Sequence, residues 1–209
     1  MLRPYRHQSL WHGCVGAWCP SQAHSGATLI DYSNRNNHGA LTNMDPATDW
    51  VTSGGGWALD FDGNNDTVVT NSPFGADGNQ QPAYAMSLWF KAPTSTTVRI
   101  FACWRNSQGL VLELRTVSRL FTRHQAWTYT PDDTWTHLVL TSLGFHAPSY
   151  VNGDEKIYIN GNLLTTYDPI GAAAVNNSNT TINISGRNGT GSFAFLGQMD
   201  DLRFCNRLS

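Results

Sequence analysis

Apolar and polar residues alternate along most of the chain, in short segments that are separated by turn-forming residues. The clearest case is Tyr84–Lys91, where Met86, Leu88 and Phe90 are the large apolar positions. A period of two places alternate side chains on opposite faces of a β-strand. We therefore predict about a dozen strands and no helix longer than one turn. The predicted strands cover 14–18, 38–42, 57–61, 67–70, 84–91, 98–104, 110–115, 120–129, 135–141, 156–166 (two strands), 180–184 and 193–204.

Two dipeptides between these strands are typical of tight turns. Asn160-Gly161 separates two alternating runs, and Asn and Gly tolerate the positive φ angles of a type I′ turn. Asp62-Gly63 lies between the strands at 57–61 and 67–70, which we predict to form a hairpin. Many short antiparallel strands usually close as a sandwich of two sheets, so the predicted fold class is all-β.

Composition narrows the choice of partners. Of the 209 residues 13% are charged and 40% are hydrophobic, the net charge is −2, and Lys91 and Lys156 are the only lysines. An ordinary apolar content argues against a disordered chain, and the lack of a basic stretch argues against nucleic acid as a partner. The chain contains no apolar run of the roughly 18 residues that a membrane span needs, so we predict no membrane insertion. Residues 1–10 lack the apolar segment of a signal peptide.

The four cysteines, Cys14, Cys19, Cys103 and Cys205, lack the C-x-x-C spacing of a zinc site. Two interpretations stay open. In one, all four are buried thiols that pack as small hydrophobic side chains. In the other, a cysteine of an early strand forms a disulfide with Cys205.

Seven short segments follow one another in a characteristic order: VGAW (15–18), DYSNRNNHG (31–39), ALDFDGNND (58–66), MSLWF (86–90), WTHL (135–138), IYING (157–161) and GQMDDLRFCNRLS (197–209). Together they resemble the laminin G-like, concanavalin A-like jelly-roll superfamily. The resemblance covers roughly residues 13–209, which we assign to one jelly-roll domain after an N-terminal arm at 1–12. It implies two curved antiparallel sheets, frequent calcium binding and use as a recognition module on enzymes, adhesins or viral particles. The sequence departs from the family pattern at Asn34 and Cys205.

The resemblance also implies a calcium site. Calcium prefers six to eight oxygen ligands, and the loop at 31–39 is rich in Asp and Asn. In similar domains this loop packs near the last strand, so the implied ligands are Asp31, Asn37 and Asp201, with backbone carbonyls near His38. Adjacent residues of a strand point to opposite faces, so only one of Asp200 and Asp201 is expected to reach the loop. The alternative is a network of Asx turns without a metal.

A hydrolytic function is disfavoured by the carboxylates. Glycosidases use two carboxyl groups about 5–9.5 Å apart, yet the only two glutamates, Glu113 and Glu155, are distant in sequence and have no acidic neighbour at the alternate strand position. Glu113 is expected to face solvent. No G-x-S-x-G, P-loop or H-E-x-x-H motif occurs, and His137 is interpreted as a packing residue. We therefore predict that the protein is not an enzyme.

The tryptophans offer candidate sugar contacts, because sugar-binding modules stack an aromatic ring on the apolar face of a saccharide. Trp18, Trp57 and Trp89 lie in strand patterns that match the core. The surface candidates for ligand binding are Trp104, Arg105, Trp127 and Tyr129, each next to a polar turn.

These observations lead to one main hypothesis and two alternatives. The main hypothesis is a non-catalytic recognition module for a glycan or a cell-surface polysaccharide, located outside the cell or on the surface of a virion. The first alternative is a decoration or fibre subunit whose contacts are with copies of itself or with other virion proteins. A glycoside hydrolase is the third and least favoured function.

Overall fold

The computed structural model describes residues 13–71, 80–81, 84–94, 98–102, 111–115, 119–122, 125–142, 145–146, 155–165, 167–169, 181–186 and 193–206. Within these ranges the chain is built from β-strands, with one 3₁₀ turn at Pro20–Gln22. None of the helical segments there has the length and apolarity of a membrane span. The predicted all-β class is confirmed. The predicted N-terminal arm, 1–12, lies outside the described residues.

The first of the two sheets contains the longest described strands. Eight described strands form this sheet, and all the pairings are antiparallel. The order is β16-β15-β13-β8-β19-β5-β4, and β1 also pairs with β19. The strands are β1 (Cys14–Trp18), β4 (Trp50–Ser53), β5 (Gly56–Asp62), β8 (Tyr84–Lys91), β13 (Thr136–Ser142), β15 (Glu155–Ile159), β16 (Asn162–Leu163) and β19 (Leu196–Cys205).

The second sheet lies opposite the first across the core. In the described part of the chain it has nine strands in the order β17-β12-β11-β10-β9-β18-β6-β3-β2, and two further short strands, β7 (Gln80–Gln81) and β14 (Phe145–His146), pair with each other. The nine strands are β2 (Thr28–Leu29), β3 (Gly39–Thr42), β6 (Thr67–Asn71), β9 (Val98–Ala102), β10 (Val111–Arg115), β11 (Arg119–Phe121), β12 (Gln125–Thr128), β17 (Tyr167–Pro169) and β18 (Thr181–Ile184).

Large aromatic and aliphatic side chains from both sheets form one hydrophobic core. In β8, Tyr84, Met86, Leu88 and Phe90 are fully buried, while the residues between them are not, as the alternation predicts. The ring of Trp18 meets that of Phe204 edge to face at 6.4 Å, a favoured aromatic geometry. The buried indole also donates a hydrogen bond of 2.8 Å from its Nε1 to the carbonyl of Asn37.

The predicted hairpin at Asp62-Gly63 is wrong. The two strands exist, but β5 pairs with β4 and β19 in the first sheet, whereas β6 pairs with β3 and β18 in the second. The turn instead carries the chain from one sheet to the other. Asp66 accepts a hydrogen bond from the Asp62 amide, and Asp62 accepts one from the Asn64 amide, so both carboxylates shape this corner. Turn chemistry alone does not distinguish the two connections.

Other sequence predictions meet mixed outcomes. Asn160 and Gly161 have φ angles of 49° and 81°, and they join β15 to β16 as the predicted type I′ turn. The predicted single strand at 120–129 is two paired strands, β11 and β12. Glu113 does not face solvent, because β10 is buried from Val111 to Leu114, and Glu113 itself is 3% exposed.

Three of the four cysteines fall in the described ranges. Cys14 and Cys19 are buried and Cys205 is half-buried, and all three are free thiols. Cys103 lies outside the described residues.

Candidate functional site

The outer face of the first sheet carries an exposed tryptophan. Trp89 is 39% exposed, because it occupies an outward position of β8 between the buried Leu88 and Phe90. Its neighbours in the sheet are His137 on β13 and Asp200 on β19. The imidazole of His137 stacks on the indole with a centroid distance of 4.9 Å and an interplanar angle of 27°. Since β13 and β19 flank β8 on opposite sides, His137 supports the indole from the side away from Asp200.

A bulge in β19 places two carboxylates on this face. The register with β8 shifts between Asp200 and Arg203, and Asp201 has a φ of 50°, a left-handed value that Asp tolerates better than most residues. Asp200 and Asp201 are both partly exposed, and Leu202 is the next residue to point into the core. The prediction that these adjacent aspartates divide between opposite faces is therefore wrong, since that rule requires regular pleating.

A cavity of about 350 Å³ opens beside Trp89. Its size is at the lower end of the roughly 300–1,000 Å³ that is usual for ligand pockets. Trp135, which precedes β13, forms another wall and is fixed by a hydrogen bond of 2.8 Å from its Nε1 to the hydroxyl of Ser53. The described lining residues are Ser21, Ser53, Gly54, Gly56, Ala58, Trp89, Trp135 and Asp200.

The Asp200 carboxylate is held in a fixed position at the cavity. Its Oδ1 accepts hydrogen bonds from the backbone amides of Ser21, at 3.1 Å, and Asp201, at 2.7 Å. Partial burial raises the pKa of Asp200, and these hydrogen bonds oppose that shift. Desolvation lowers the pKa of His137, whose imidazole stacks on Trp89. Asp200 is the one acidic or basic side chain among the described lining residues.

Two indole rings and one oriented carboxylate form a combination that suits a polyhydroxylated ring. The apolar face of a saccharide can stack on an indole, while its hydroxyl groups donate hydrogen bonds to a carboxylate or exchange them with serine hydroxyls. A carboxylate acceptor makes a stronger hydrogen bond than a neutral one. The stacking of His137 and the hydrogen bond to Ser53 restrict both rings before a ligand arrives, which lowers the entropic cost of binding.

The residues predicted to bind calcium have other partners. Asp31 is buried, and its Oδ1 accepts hydrogen bonds from the backbone amides of Ala17 and Ser33, both at 2.9 Å. Its Oδ2 accepts the Ser33 hydroxyl at 2.8 Å and the Asn37 amide at 2.9 Å. The side-chain amide of Asn37 donates to the carbonyl of Val15. The structure therefore brings Asp31 and Asn37 together as an Asx network, the alternative considered above.

Asp201 has other partners as well. Its two oxygens bind Arg203 at 2.6 and 2.8 Å, and Oδ1 also accepts a hydrogen bond from the thiol of Cys19 at 3.0 Å. No cluster of three or more His, Cys, Asp or Glu side chains with metal-binding geometry is present in the described residues. Asp31 accepts four hydrogen bonds and Asp201 accepts three, so protein donors engage both carboxylates in this structure, and calcium binding by Asp31, Asn37 and Asp201 stays a prediction.

Of the four residues predicted to bind a ligand, Trp127 and Tyr129 are described, and neither lines this cavity. Trp127 is 2% exposed and belongs to the core, so its prediction as a surface contact is wrong. Tyr129 is half-buried; its ring packs against Phe90 and its hydroxyl donates to Thr136 at 3.2 Å. Trp104 and Arg105 lie outside the described residues.

Trp89 and Trp135 were missed as site residues, although a signal for Trp89 exists in the sequence. The same alternation that buries Leu88 and Phe90 places Trp89 on the opposite face, so its assignment to the core contradicts the period of its own strand. Trp18 is buried as predicted, and Trp57 is partly buried and packs against the core. No comparable sequence signal identifies Trp135, because it lies just before a strand.

Comparisons with known proteins show the fold. No family model matches the chain, and no curated protein matches it. Among solved structures, domain 4 of the extracellular arabinanase AbnA from Geobacillus stearothermophilus, solved with arabinotriose, is similar with a TM-score of 0.63 and 17% identity over 92% of this chain and 91% of that one.

Two further similar structures come from larger proteins. A chain from a study of the cell entry of botulinum neurotoxin type C through two ganglioside molecules has a TM-score of 0.64 and 12% identity, with 97% of this chain and 50% of that one covered. Trypanosoma rangeli sialidase in complex with sialic acid has a TM-score of 0.61 and 13% identity, with 95% and 31% covered. The chain thus spans about half of the toxin chain and a third of the sialidase. The jelly-roll sandwich is the fold of this protein.

Proposed function

We propose that this protein is a non-catalytic glycan-binding module and that the saccharide binds in the cavity between Trp89 and Trp135. The observation that carries the proposal is the pairing of two indole rings with the oriented carboxylate of Asp200 in one cavity. Similar structures contain arabinotriose or sialic acid, or concern ganglioside recognition, which supports a saccharide as the ligand class.

The cavity supports binding rather than hydrolysis. Asp200 is the one carboxylate among its described lining residues, whereas glycosidases use two. Asp201, next in sequence, is engaged by Arg203, and both glutamates are buried elsewhere.

The ligand we propose is a neutral saccharide. No cation lines the described part of the cavity. Lys91 and Arg203 occupy outward positions of the same sheet, but Lys91 lies 3.9 Å from Asp133 and Arg203 is bound to Asp201. A negatively charged sugar would therefore meet the Asp200 carboxylate without a compensating cation, which disfavours it.

A glycan array first identifies the preferred neutral sugar. Calorimetric titrations of the full chain then measure the binding of arabinotriose and of a sialylated oligosaccharide. We expect neutral saccharides to bind and sialylated ones not to bind. Trp89→Ala and Trp135→Ala should weaken binding at least about tenfold, equivalent to roughly 1.4 kcal/mol. Leu163→Ala, at an exposed apolar residue of β16 outside the cavity lining, is the matched control and should bind normally.

Two results would contradict the proposal: equal affinity of Trp89→Ala and the unchanged protein, or an array without a single binding saccharide. Light scattering would then test the alternative function that the sequence suggested, a decoration or fibre subunit. That function requires a defined oligomer, whose mass light scattering measures. An extracellular or virion-surface location follows from the proposed ligand and is part of the same proposal.

A further inference from the structure

Two cysteines face each other where the first and last strands of the first sheet meet. Cys14 begins β1 and Cys205 ends β19, and the two are direct partners in the antiparallel register. One position further out, the amide of Asn206 donates to the carbonyl of Gly13 at 2.9 Å. Because hydrogen-bonded and non-hydrogen-bonded pairs alternate, Cys14 and Cys205 occupy a non-hydrogen-bonded position.

This position suits a disulfide. Partners at non-hydrogen-bonded positions have Cα atoms about 4.5 Å apart, with their side chains closer than at hydrogen-bonded positions. Disulfides span Cα distances of about 4.4–6.8 Å, so a bond here requires no large movement of the strands. The bulge after Cys14 lies within β1 and leaves the pairing of Cys14 with Cys205 in place.

The two thiols already interact. The Cys14 thiol lies 3.3 Å from the carbonyl oxygen of Gly16, to which it can donate. Its interaction with the Cys205 side chain lowers the pKa of Cys205 to about 7, and the positive charge of Arg203 acts in the same direction. The same interaction and burial raise the pKa of Cys14. Cys205 is half-buried whereas Cys14 is buried, so the thiol with the larger thiolate fraction is also the more accessible one.

We propose that Cys14 and Cys205 form a thiol-modification site, which a low-molecular-weight disulfide oxidises to an intramolecular disulfide that joins the first and last strands. The Cys205 thiolate attacks one sulfur of the reagent, whose S–S bond breaks and releases one thiolate. Cys14 then loses its proton to the released thiolate and attacks the Cys205 sulfur, which expels the second thiolate; that one takes up a proton from solvent. Two protein thiols lose two electrons and two protons, and one disulfide reagent becomes two thiols.

Cys19 provides an internal comparison. It is also buried near the end of β1, but its thiol donates to Asp201 at 3.0 Å, and burial together with that carboxylate raises its pKa. A thiol that is protonated and buried reacts slowly with disulfides. Cys205 therefore differs from Cys19 in the side chain that its thiol contacts and in the fraction of the thiol that is ionised.

The experiment treats the full chain with glutathione disulfide, digests it after alkylation, and identifies linked peptides by mass spectrometry. We expect a peptide joining residues 14 and 205 that has lost two hydrogen atoms. Such a large closed loop should raise Tm by about 5–15 °C, and reductant should reverse the rise. Cys19→Ser should form the link normally, while Cys14→Ser and Cys205→Ser should not form it.

A second measurement does not depend on the folding of any variant. In the unoxidised wild-type protein, Cys205 should be alkylated faster than Cys14 and Cys19, with a rate that rises through about pH 7. The proposal is overturned if glutathione disulfide links Cys103 or Cys19 instead, if glutathione stays attached to Cys205 without release, or if Cys205 reacts no faster than Cys19.

Discussion

At the scale of single residues, Asp200 belongs to the proposed saccharide site and also affects stability. Its carboxylate is partly removed from water by Ser21 and the bulge of β19, and its pKa is raised. The folded chain therefore holds this proton to a higher pH than the unfolded chain does. Between the two pKa values the free energy of unfolding falls as the pH rises, so the ionised group opposes folding at pH 7.

We predict that Asp200→Asn melts at the same temperature as the unchanged protein or higher at pH 7, while it binds saccharide more weakly. The amide oxygen still accepts the hydrogen bonds of Ser21 and Asp201, but the charge is gone. The difference in Tm should shrink as the pH falls through about 4 and disappear near pH 3, where Asp is protonated in both states. Melting curves from pH 3 to 8 test this, and a lower Tm of Asp200→Asn at pH 7 would contradict it.

Asp31 has the opposite effect on stability. Its carboxylate accepts four hydrogen bonds, three from the backbone amides of Ala17, Ser33 and Asn37. We predict that Asp31→Ala lowers the free energy of unfolding by at least about 2 kcal/mol, because buried amides lose their acceptor. Denaturant titration measures the loss. Asp132→Ala is the matched control: its carboxylate accepts hydrogen bonds from the Thr134 amide and hydroxyl at an exposed turn, where water can replace it, so the loss should be much smaller than for Asp31→Ala.

The same variant distinguishes an Asx network from a calcium site. A ligand that binds only the folded state raises the free energy of unfolding by RT ln(1 + [L]/Kd), so Tm rises with the logarithm of the ligand concentration once that concentration exceeds Kd. We expect the Tm of the unchanged protein to be the same in millimolar calcium as in EDTA. A calcium-dependent rise that Asp31→Ala abolishes would show that the carboxylate exchanges its hydrogen bonds for the metal.

At the scale of elements, β19 is the strand on which the first sheet depends, because it pairs with β1, β5 and β8. Gly197, near its start, has a φ of 129°, and a Cβ there would lie 2.1 Å from the carbonyl oxygen of Lys91 on β8. The close approach of the two backbones therefore requires a glycine.

We predict that Gly197→Ala destabilises the protein strongly. Gly55→Ala is the matched control, since Gly55 also has a positive φ, 89°, but a Cβ there meets nothing within 4 Å. The control should lose about 1 kcal/mol from backbone strain, and Gly197→Ala should lose at least about 2 kcal/mol more from the collision. Equal losses in denaturant titrations of the two variants would show that the strands separate without cost.

The elements also show what the sequence predicts and what it does not. The positions of the strands follow from the alternation of apolar and polar residues, because the polarity of each side chain determines which face of the strand is buried, as in β8. Pairing does not follow, because a period of two gives the face of a strand but not its partner. The corner at Asp62-Gly63 was therefore predicted as a hairpin although it connects two sheets.

At the scale of the whole molecule, the candidate site was less predictable than the fold. The cavity combines Trp89 of β8, Trp135 before β13, Asp200 of β19 and the loop after β4, which only the pairing of distant strands brings together. Asp200 faces the cavity by alternation with the buried Met199, whereas the one-residue bulge that follows it, and that leaves Asp201 partly exposed as well, has no sequence signal. The prediction for Trp127 failed in the opposite direction, because Trp127 was expected at the surface and is buried. A polar turn next to an aromatic residue does not determine whether that residue is exposed.

At the scale of the whole molecule, the proposed saccharide site is a cavity of about 350 Å³, which has room for a short saccharide, so we expect one chain to bind weakly and to gain strength from multivalent display. We predict that a terminally biotinylated chain assembled on streptavidin dissociates at least about 100-fold more slowly than the single chain from a surface dense in the preferred saccharide. On a sparse surface the two should dissociate alike, because neighbouring sugars are then too far apart for simultaneous binding. Surface plasmon resonance measures both rates, and the Trp89→Ala assembly is the control for nonspecific adhesion. Equal dissociation of assembled and single chains from the dense surface would mean that one chain contacts far more of the glycan than this cavity holds.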